Sequence, residues 1–171
     1  MFEVLALSMI STEFDNIIIR LASNKDREKV TALVAQVLSE FGLRIDPEET
    51  DADLRDIEKN YLEAGGTFEL IEDGEGNLLG TVGLYPLDEE RCELRKMYFV
   101  KSVRGHGLGK YILERAIEQA KSLGFRKIIL ETAGVLKAAN HLYLKNGFRP
   151  FEREHLPSRA DLAYILDLDE K

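Results

Sequence analysis

Three glycines at alternate positions lie between two cations in one short segment of the chain, Arg104-Gly105-His106-Gly107-Leu108-Gly109-Lys110. Because glycine has no Cβ, such a segment lets a ligand approach the main-chain amides closely. The next residues repeat at helical spacing as far as Gly124, and the first N–H groups of a helix lack helical partners and attract anions. Arg104 and Lys110 add positive charge to a chain whose formal charge is −8. This combination predicts a pyrophosphate-binding loop.

The spacing within the segment distinguishes between kinds of phosphate loop. A P-loop requires Ser or Thr after its Gly-Lys pair, whereas Tyr111 follows Lys110 here. The dinucleotide-binding pattern G-x-G-x-x-G would place a glycine where Lys110 stands. The pattern that fits is R-x-x-G-x-G, formed by Arg104, Gly107 and Gly109. A purely structural turn that starts a helix is the alternative, but it does not account for the flanking cations.

Three further segments accompany this loop, in an order that is informative. Glu93-Leu94-Arg95-Lys96-Met97-Tyr98-Phe99 precedes it, Glu131-Thr132 ends the next predicted strand, and Leu142-Tyr143-Leu144-Lys145-Asn146-Gly147-Phe148 ends a predicted helix. With the loop they resemble the GNAT superfamily of N-acetyltransferases, whose acetyl-CoA loop is [QR]-x-x-G-x-[GA] and whose helix ends in L-Y-x-K-x-G-F. The resemblance extends over nearly the whole chain, from about residue 16 to residue 168.

The resemblance implies that acetyl-CoA is the acyl-donor co-substrate. In the family it lies where two parallel strands separate, which correspond here to residues 91–100 and 127–132. Main-chain amides near Met97 and Phe99 would bind the pantetheine arm and polarise the thioester carbonyl, as in an oxyanion hole. The cofactor-binding residues that the resemblance implies are Met97, Tyr98, Phe99, Arg104, Gly105, His106, Gly107, Leu108, Gly109 and Lys110.

Two side chains are predicted to be catalytic. The resemblance aligns Tyr143 with the family's tyrosine acid, which gives a proton to the leaving thiolate; a core tyrosine on the inner face of a helix is the alternative, and both can hold together. Glu93 is the candidate base, directly or through a water, because an amine must lose a proton to attack. The alternative for Glu93 is a strand carboxylate paired with Arg91 or Arg95.

Other candidate residues carry less information. The family often has an Asn seven residues before the tyrosine, but Leu136 stands there, with Asn140 as the nearest substitute. Cys92 is the single cysteine and is interpreted as a small buried thiol. His106 is interpreted as a tolerated loop position. No metal is predicted, because the histidines show no metal-ligand spacing.

The elements that position these residues predict an α+β fold. The expected sheet is mixed and mostly antiparallel, with helices on both faces and one splayed parallel strand pair. In residues 91–100 the alternation predicts Leu94, Lys96, Tyr98 and Val100 on one face and Glu93, Arg95, Met97 and Phe99 on the other. The strands are predicted at 16–21, 68–72, 78–85, 91–100, 127–132, 148–154 and 161–168, and the helices at 30–41, 107–124 and 135–146, with Leu54, Ile57 and Tyr61 on the face of a further helical segment.

Length and composition bound the remaining choices. The 171 residues, of which 44% are hydrophobic, suit one N-acetyltransferase domain at 15–171, preceded by a leader at 1–14 whose role is open. No apolar run approaches the roughly 20 residues of a membrane span, and a basic signal region is missing, so we expect a cytoplasmic protein without a membrane partner. The acidic balance argues against nucleic acid as a partner.

The acceptor is open at this level. We expect transfer from acetyl-CoA to a primary amine of a small or amino-acid-like molecule by direct attack. The alternatives are acetylation of a protein lysine or N-terminus, and a non-catalytic acyl-CoA-binding module. The family also allows a homodimer, which no sequence feature requires. Residues 46–56 carry carboxylates that either favour a cationic amine or form a solvated helix face, at Asp46, Glu48, Glu49, Asp51, Asp53 and Asp56.

Overall fold

The computed structural model describes residues 16–169, so the predicted leader at 1–14 lies outside the described residues. Two hydrogen bonds cap the start of the first helix and explain where it begins. The Ser23 amide donates to the Asp26 carboxylate (2.8 Å), and the Asp26 amide donates to the Ser23 carbonyl (3.0 Å). The strands are β1 Ile18–Leu21, β2 Thr67–Glu72, β3 Leu78–Pro86, β4 Arg91–Phe99, β5 Lys127–Thr132, β6 Arg149–Pro150 and β7 Leu162–Asp167, and the helices are α1 Arg27–Glu40, α2 Leu108–Ser122 and α3 Lys137–Lys145.

One mixed sheet contains all seven described strands, in the order β1-β2-β3-β4-β5-β7-β6. The first four form the predicted antiparallel meander, and β4 and β5 form the predicted parallel pair. That pair is short: Arg91, Cys92 and Glu93 pair with residues 127–129, and no further register follows. The sheet therefore opens between β4 and β5 beyond Glu93.

Two buried clusters, one on each side of the sheet, confirm that helices cover both faces. The larger contains Leu94 of β4 together with side chains of α2 and α3 such as Ile112 and Tyr143. The smaller contains side chains of α1 and β2, among them Val34 and Phe68. Burial of this apolar surface holds the helices on the sheet.

Two predicted elements differ from those observed. Leu54, Ile57 and Tyr61 are buried together as predicted, but they lie on a 3₁₀ turn (Ala52–Arg55) and a π-helical turn (Glu58–Leu62) rather than on one helix. Asp56 separates the two turns with an extended backbone and accepts a hydrogen bond from the Lys59 amide, which starts the second turn afresh. The strand predicted at 148–154 is reduced to β6, because the chain then leaves the sheet edge.

The predicted faces of β4 are wrong beyond Arg95. Thr81 pairs with Tyr98 and Gly83 with Arg95, so one β3 residue stands opposite Lys96 and Met97, which is a β-bulge. Lys96 has a φ of +55°, and its carbonyl accepts a hydrogen bond from the Thr81 hydroxyl (2.6 Å). The extra residue reverses the alternation beyond it.

The reversal moves side chains between the two faces. Met97 and Phe99 pack with Leu94 against the larger cluster, whereas Tyr98 packs against the smaller one. Strict alternation predicts Met97 on the same face of β4 as Glu93, but in the structure the two side chains lie on opposite faces.

Among residues 16–169, none of the helices combines the length and apolar character that a bilayer crossing requires.

Candidate active site

A cavity of about 950 Å³ opens where β4 and β5 separate. One end is lined by the glycine-rich loop, the middle by Met97 and Phe99 of β4 and by Tyr143 of α3. The other end is lined by charged side chains from β4, β5 and the segments around residues 50 and 159. The structure thus brings together the predicted loop, the predicted acid and the predicted strand in one space.

The loop owes its shape to two glycines. Gly105 and Gly107 have φ values of +81° and +89°, a region that side chains other than glycine adopt at a cost. Gly107 is the residue immediately before α2, so the amides of Leu108, Gly109 and Lys110 lie in the first turn and have no carbonyl within the helix to bind. Anion-binding amides are therefore grouped at the cavity wall.

Most of the predicted cofactor-binding residues line this cavity. Two of them, His106 and Leu108, do not. The His106 side chain is exposed, and the Leu108 side chain is buried in the larger cluster, so Leu108 can serve a ligand only through its amide. Lys110 is exposed, with its ammonium 3.8 Å from Glu114.

Arg104 does more than add charge to the loop. Its Nε donates to the Phe99 carbonyl (2.8 Å), and its Nη2 lies 2.6 Å from Glu40 at the end of α1. The guanidinium also lies 5.5 Å from the centre of the Phe41 ring. Arg104 thereby fixes the start of the loop to the end of β4 and to α1, which a role as a mere charge would not require.

Tyr143 is a core residue that also lines the cavity. Its ring lies in the core, 5.8 Å from that of Phe148 and 6.2 Å from that of Tyr164, and only 6% of the residue is exposed. It nevertheless lines the cavity. Burial, with a smaller effect from Tyr98, raises the pKa of Tyr143, so the phenol keeps its proton at neutral pH.

Asn140, the nearest substitute for the missing family Asn, is buried and is not among the residues that line the cavity. Its side-chain amide donates to the Ala133 carbonyl (3.0 Å), which secures the turn between β5 and α3. Leu136, at the family's Asn position, lines the cavity with an apolar side chain. Cys92 is buried as predicted, and burial raises the pKa of its thiol to about 12.

The bulge places a charged group in the interior. Lys96, 7% exposed, points its ammonium at Asp51 (3.0 Å) and Asp53 (3.1 Å). Arg159 donates to both oxygens of Asp51 (2.7 and 3.0 Å) and to the Tyr98 hydroxyl. Burial alone would raise the pKa of Asp51, but the hydrogen bonds from Arg159 and the charge of Lys96 outweigh it and lower that pKa to about 2.

A second group of charges lies at the opening between β4 and β5. Glu93 accepts a hydrogen bond from Arg95 (2.9 Å), so the predicted alternative for Glu93 is observed. The Glu93 carboxylate is also 3.5 Å from Arg153, which in turn bonds Glu131 on β5. The Arg95 guanidinium stacks on the Tyr85 ring at 3.7 Å.

The carboxylates of residues 46–56 are divided among several surroundings: Glu49 and Asp53 line the cavity, and Glu48 is exposed and pairs with Arg55. Asp51 and Asp53 are buried in the Lys96 group, and Asp56 binds Asn24 and the Lys59 amide. The Asp46 carboxylate accepts hydrogen bonds from two amides of its own turn. Most of this acidic charge is therefore engaged within the protein.

Sequence reasoning missed four charged residues at or behind the charged end of the cavity: Asp53 and Arg159 line it, whereas Asp51 and Arg153 pair with the lining residues Lys96 and Glu131. Asp51 and Asp53 were seen only as members of an acidic segment, and Arg153 and Arg159 were not singled out. One signal was available: the predicted alternation places Lys96 on one face with the apolar or aromatic Leu94, Tyr98 and Val100, and a cation buried among such side chains needs charged partners. Within residues 16–169, no three His, Cys, Asp or Glu side chains are arranged to hold a metal ion.

Comparison with known proteins agrees with this geometry. The sequence model of the acetyltransferase (GNAT) family matches residues 32–148. An uncharacterized N-acetyltransferase of Escherichia coli K12, YjgM, is 36% identical over 136 residues, which cover 77% of this chain and 81% of that protein. A GNAT-family acetyltransferase structure from Staphylococcus aureus Mu50 is 31% identical, with a TM-score of 0.83 over 90% of this chain and 99% of that one.

A third similarity concerns the fold alone. The structure of yncA from Salmonella typhimurium with its cofactor acetyl-CoA is 19% identical in sequence, with a TM-score of 0.69 over 91% of this chain and 96% of that one. The family match covers more than half of the chain, and YjgM is similar over most of its own length. The chain therefore belongs to the GNAT family of acetyltransferases.

Proposed function

We propose that this protein transfers the acetyl group of acetyl-CoA to the primary amine of a small or amino-acid-like molecule. The observation that carries the proposal is the continuity of one cavity, which runs from the amides of the glycine-rich loop, past Tyr143, to a charged end. We assign residues 15–171 to a single acetyltransferase domain and expect it to work in the cytoplasm, where the lone thiol of Cys92 stays reduced.

The residues present fit coenzyme A. Amides grouped at the start of α2 suit a diphosphate, since they point unpaired hydrogens at an anion without a compensating carboxylate in the turn. The bulge at Lys96 and Met97 and the short β4–β5 pairing leave main-chain groups of β4 beside the cavity, where a pantetheine arm can add to the strand. The apolar Leu136 at the family's Asn position means that this arm would rely on β4 more heavily.

Bound acetyl-CoA would supply an activated acyl group, and the protein would supply positioning and charge stabilisation. Amides near Met97 and Phe99 would hold the thioester oxygen. Tyr143, protonated and buried beside the cavity, would give a proton to the sulfur as it leaves. Glu93 is the base that the sequence predicts, directly or through a water.

A small acceptor is favoured over a protein by the shape of the charged end. The segment around Asp51 is fixed to Arg159 across that end, and Arg159 also bonds the Arg44 carbonyl (2.9 Å). We take this connection between two segments that line the cavity as the reason to prefer a small acceptor over a polypeptide. The protein-acetylating function and the non-catalytic acyl-CoA-binding module are the competing proposals.

A panel of amines tests the proposed function. Polyamines, amino acids, aminoglycosides and a lysine-containing peptide are each incubated with acetyl-CoA, and free thiol is measured continuously. We expect release that depends on a small amine and saturates with its concentration. Release only with the peptide would favour protein acetylation, and tight binding of CoA without turnover of any amine would favour the binding module.

A further inference from the structure

Glu131 lies opposite β4 at the point where the parallel pair separates. The last paired residues are Glu93 and Ile129, so Glu131 is two residues beyond the pairing, on the same face of β5 as Ile129. Its neighbours Leu130 and Ile128 belong to the larger cluster on the other face. The Glu131 side chain lines the cavity and is 14% exposed.

The two carboxylates at this opening are held differently. Glu93 faces two guanidinium groups: Arg95 donates to both of its oxygens (2.9 and 3.5 Å), and Arg153 lies 3.5 Å from Oε2. Glu131 is bonded at Oε1 by Arg153 alone. A carboxylate engaged by one cation at one oxygen is the better placed of the two to receive a proton on its other oxygen.

From this geometry we infer that Glu131, rather than Glu93, accepts the proton that the acceptor amine loses, and that Arg153 and Glu93 adjust its basicity. The inference rests on the proposed acetyl transfer and deepens it. The groups that face Glu131 are Glu93 and Arg95 of β4 and Arg153 of the segment after β6. Burial, and then the charge of Glu93, raise the pKa of Glu131, while Arg153 and Arg95 oppose the rise.

The proton balance of the reaction is complete with these groups. An ammonium acceptor carries three N–H protons, and its amide product keeps one. The ammonium first gives one proton to Glu131, which passes it to solvent through the cavity, and the neutral nitrogen then uses its freed lone pair to form the nitrogen–carbon bond. As the carbon–sulfur bond breaks, the sulfur takes the proton of Tyr143, which regains one from the nitrogen. The net products are the amide, the free thiol and one released proton.

Two variants should move the pKa of Glu131 in opposite directions, which gives the inference a test with two expected signs. Arg153→Met removes a cation that lowers it, so the pKa should rise. Glu93→Gln removes an anion that raises it, so the pKa should fall. In wild-type protein saturated with CoA, ¹³C carboxyl NMR should give Glu131 a pKa above the ordinary glutamate value, and the two variants should move it as stated. An ordinary or lowered value in the wild type would overturn the inference without any turnover measurement.

Kinetics provides the second readout. For the best amine of the panel, kcat/KM should decrease as the pH is lowered through the pKa of Glu131. This acidic limb of the pH profile should be the same for two amines of different basicity. Glu131→Gln should lose the limb and roughly 100-fold in turnover, while Glu93→Gln should keep the limb at lower pH. Melting temperature and CoA affinity of each variant serve as controls for folding.

The outcomes separate the two proposals. Loss of the limb in Glu93→Gln with retention in Glu131→Gln would overturn the inference and make Glu93 the base. Equal turnover in wild type and Glu131→Gln would also overturn it. A wild-type protein that binds CoA but acetylates no amine would contradict the proposed function itself, and the inference with it.

Discussion

Tyr143 lies both in the core and on the cavity wall, so packing and the proposed proton transfer meet in one side chain. Its ring fills space between Phe148 and Tyr164, while its position on the cavity wall leaves the hydroxyl available to a ligand. The raised pKa of the phenol is what a proton donor at neutral pH requires. Removing only the hydroxyl separates the two roles: it should abolish proton donation but leave the packing of the ring unchanged.

Replacing Tyr143 with Phe tests the donor role. We expect kcat to fall on the order of 100-fold, while the affinity for CoA stays within about twofold, because the ring that packs in the core is kept. Thiol release and calorimetry measure the two quantities. Tyr164→Phe is the matched control, since it removes another buried hydroxyl from the same cluster; equal turnover in both variants would exclude Tyr143 from the reaction.

Lys96 carries a structural prediction at the same scale. Lys96→Met would leave Asp53 without its closest cation and Asp51 with Arg159 alone. Breaking one partner of a buried ion pair costs about 3 kcal/mol, which urea unfolding should report. Lys121→Met, which removes an exposed surface pair with Glu118, should cost less than about 1 kcal/mol. Equal losses would mean that the interior charges contribute nothing.

At the scale of elements, the loop and α2 depend on the backbone conformation of Gly107. An alanine there meets open space, so its cost comes from the positive φ alone, about 1–2 kcal/mol. Gly124, after α2, has a φ of +92° and equally open space. Gly107→Ala and Gly124→Ala should therefore lose similar stability.

Binding of CoA should distinguish these two glycines. Calorimetry should show roughly tenfold weaker binding for Gly107→Ala, equivalent to about 1.4 kcal/mol, because the amides before α2 shift. Gly124→Ala should bind as the wild type does, since it lies outside the cavity lining. Parallel losses in both variants would show that general stability, and not the loop, governs affinity.

The elements also show where prediction from sequence succeeds. The meander, the parallel pair and the three α-helices follow from periodicity and from glycines at turns, because these are local properties. The bulge at Lys96 escaped prediction, since alternation alone cannot reveal one extra residue, and its effect reaches every β4 side chain beyond it. The loop and Tyr143 were found through the motifs, whereas the pairing of Lys96 with Asp51 depends on contacts distant in sequence.

At the scale of the whole molecule, one buried ion pair beside the cavity joins distant parts of the chain. Asp51, 2% exposed, belongs to the segment after α1, and Arg159 to the segment before β7. Closing so long a loop costs conformational entropy, which a buried pair with several hydrogen bonds offsets in part. The stability of the fold should therefore depend on the charge of Asp51.

Acid should reveal this dependence. The folded pKa of Asp51 is about 2, below its ordinary value of 3.8, so its carboxylate contributes about 2 kcal/mol that is fully present above pH 4. That contribution is lost as the pH falls through the folded pKa. Free energies of unfolding for the wild type and Asp51→Asn should therefore converge between about pH 4 and pH 2. Glu75→Gln, at an exposed turn, should run parallel to the wild type; the same parallel course for Asp51→Asn would contradict the account.

The most direct test of the whole account compares two ligands by titration calorimetry: CoA, and pantetheine, which shares its thiol arm but has no diphosphate. If the amides that begin α2 bind the diphosphate, folded protein should bind one CoA per chain and bind pantetheine far more weakly. In Gly107→Ala, the affinity for CoA should lie closer to the affinity for pantetheine than it does in the wild type. Protein that is fully folded yet binds neither ligand, or binds pantetheine as tightly as CoA, would contradict the central claim.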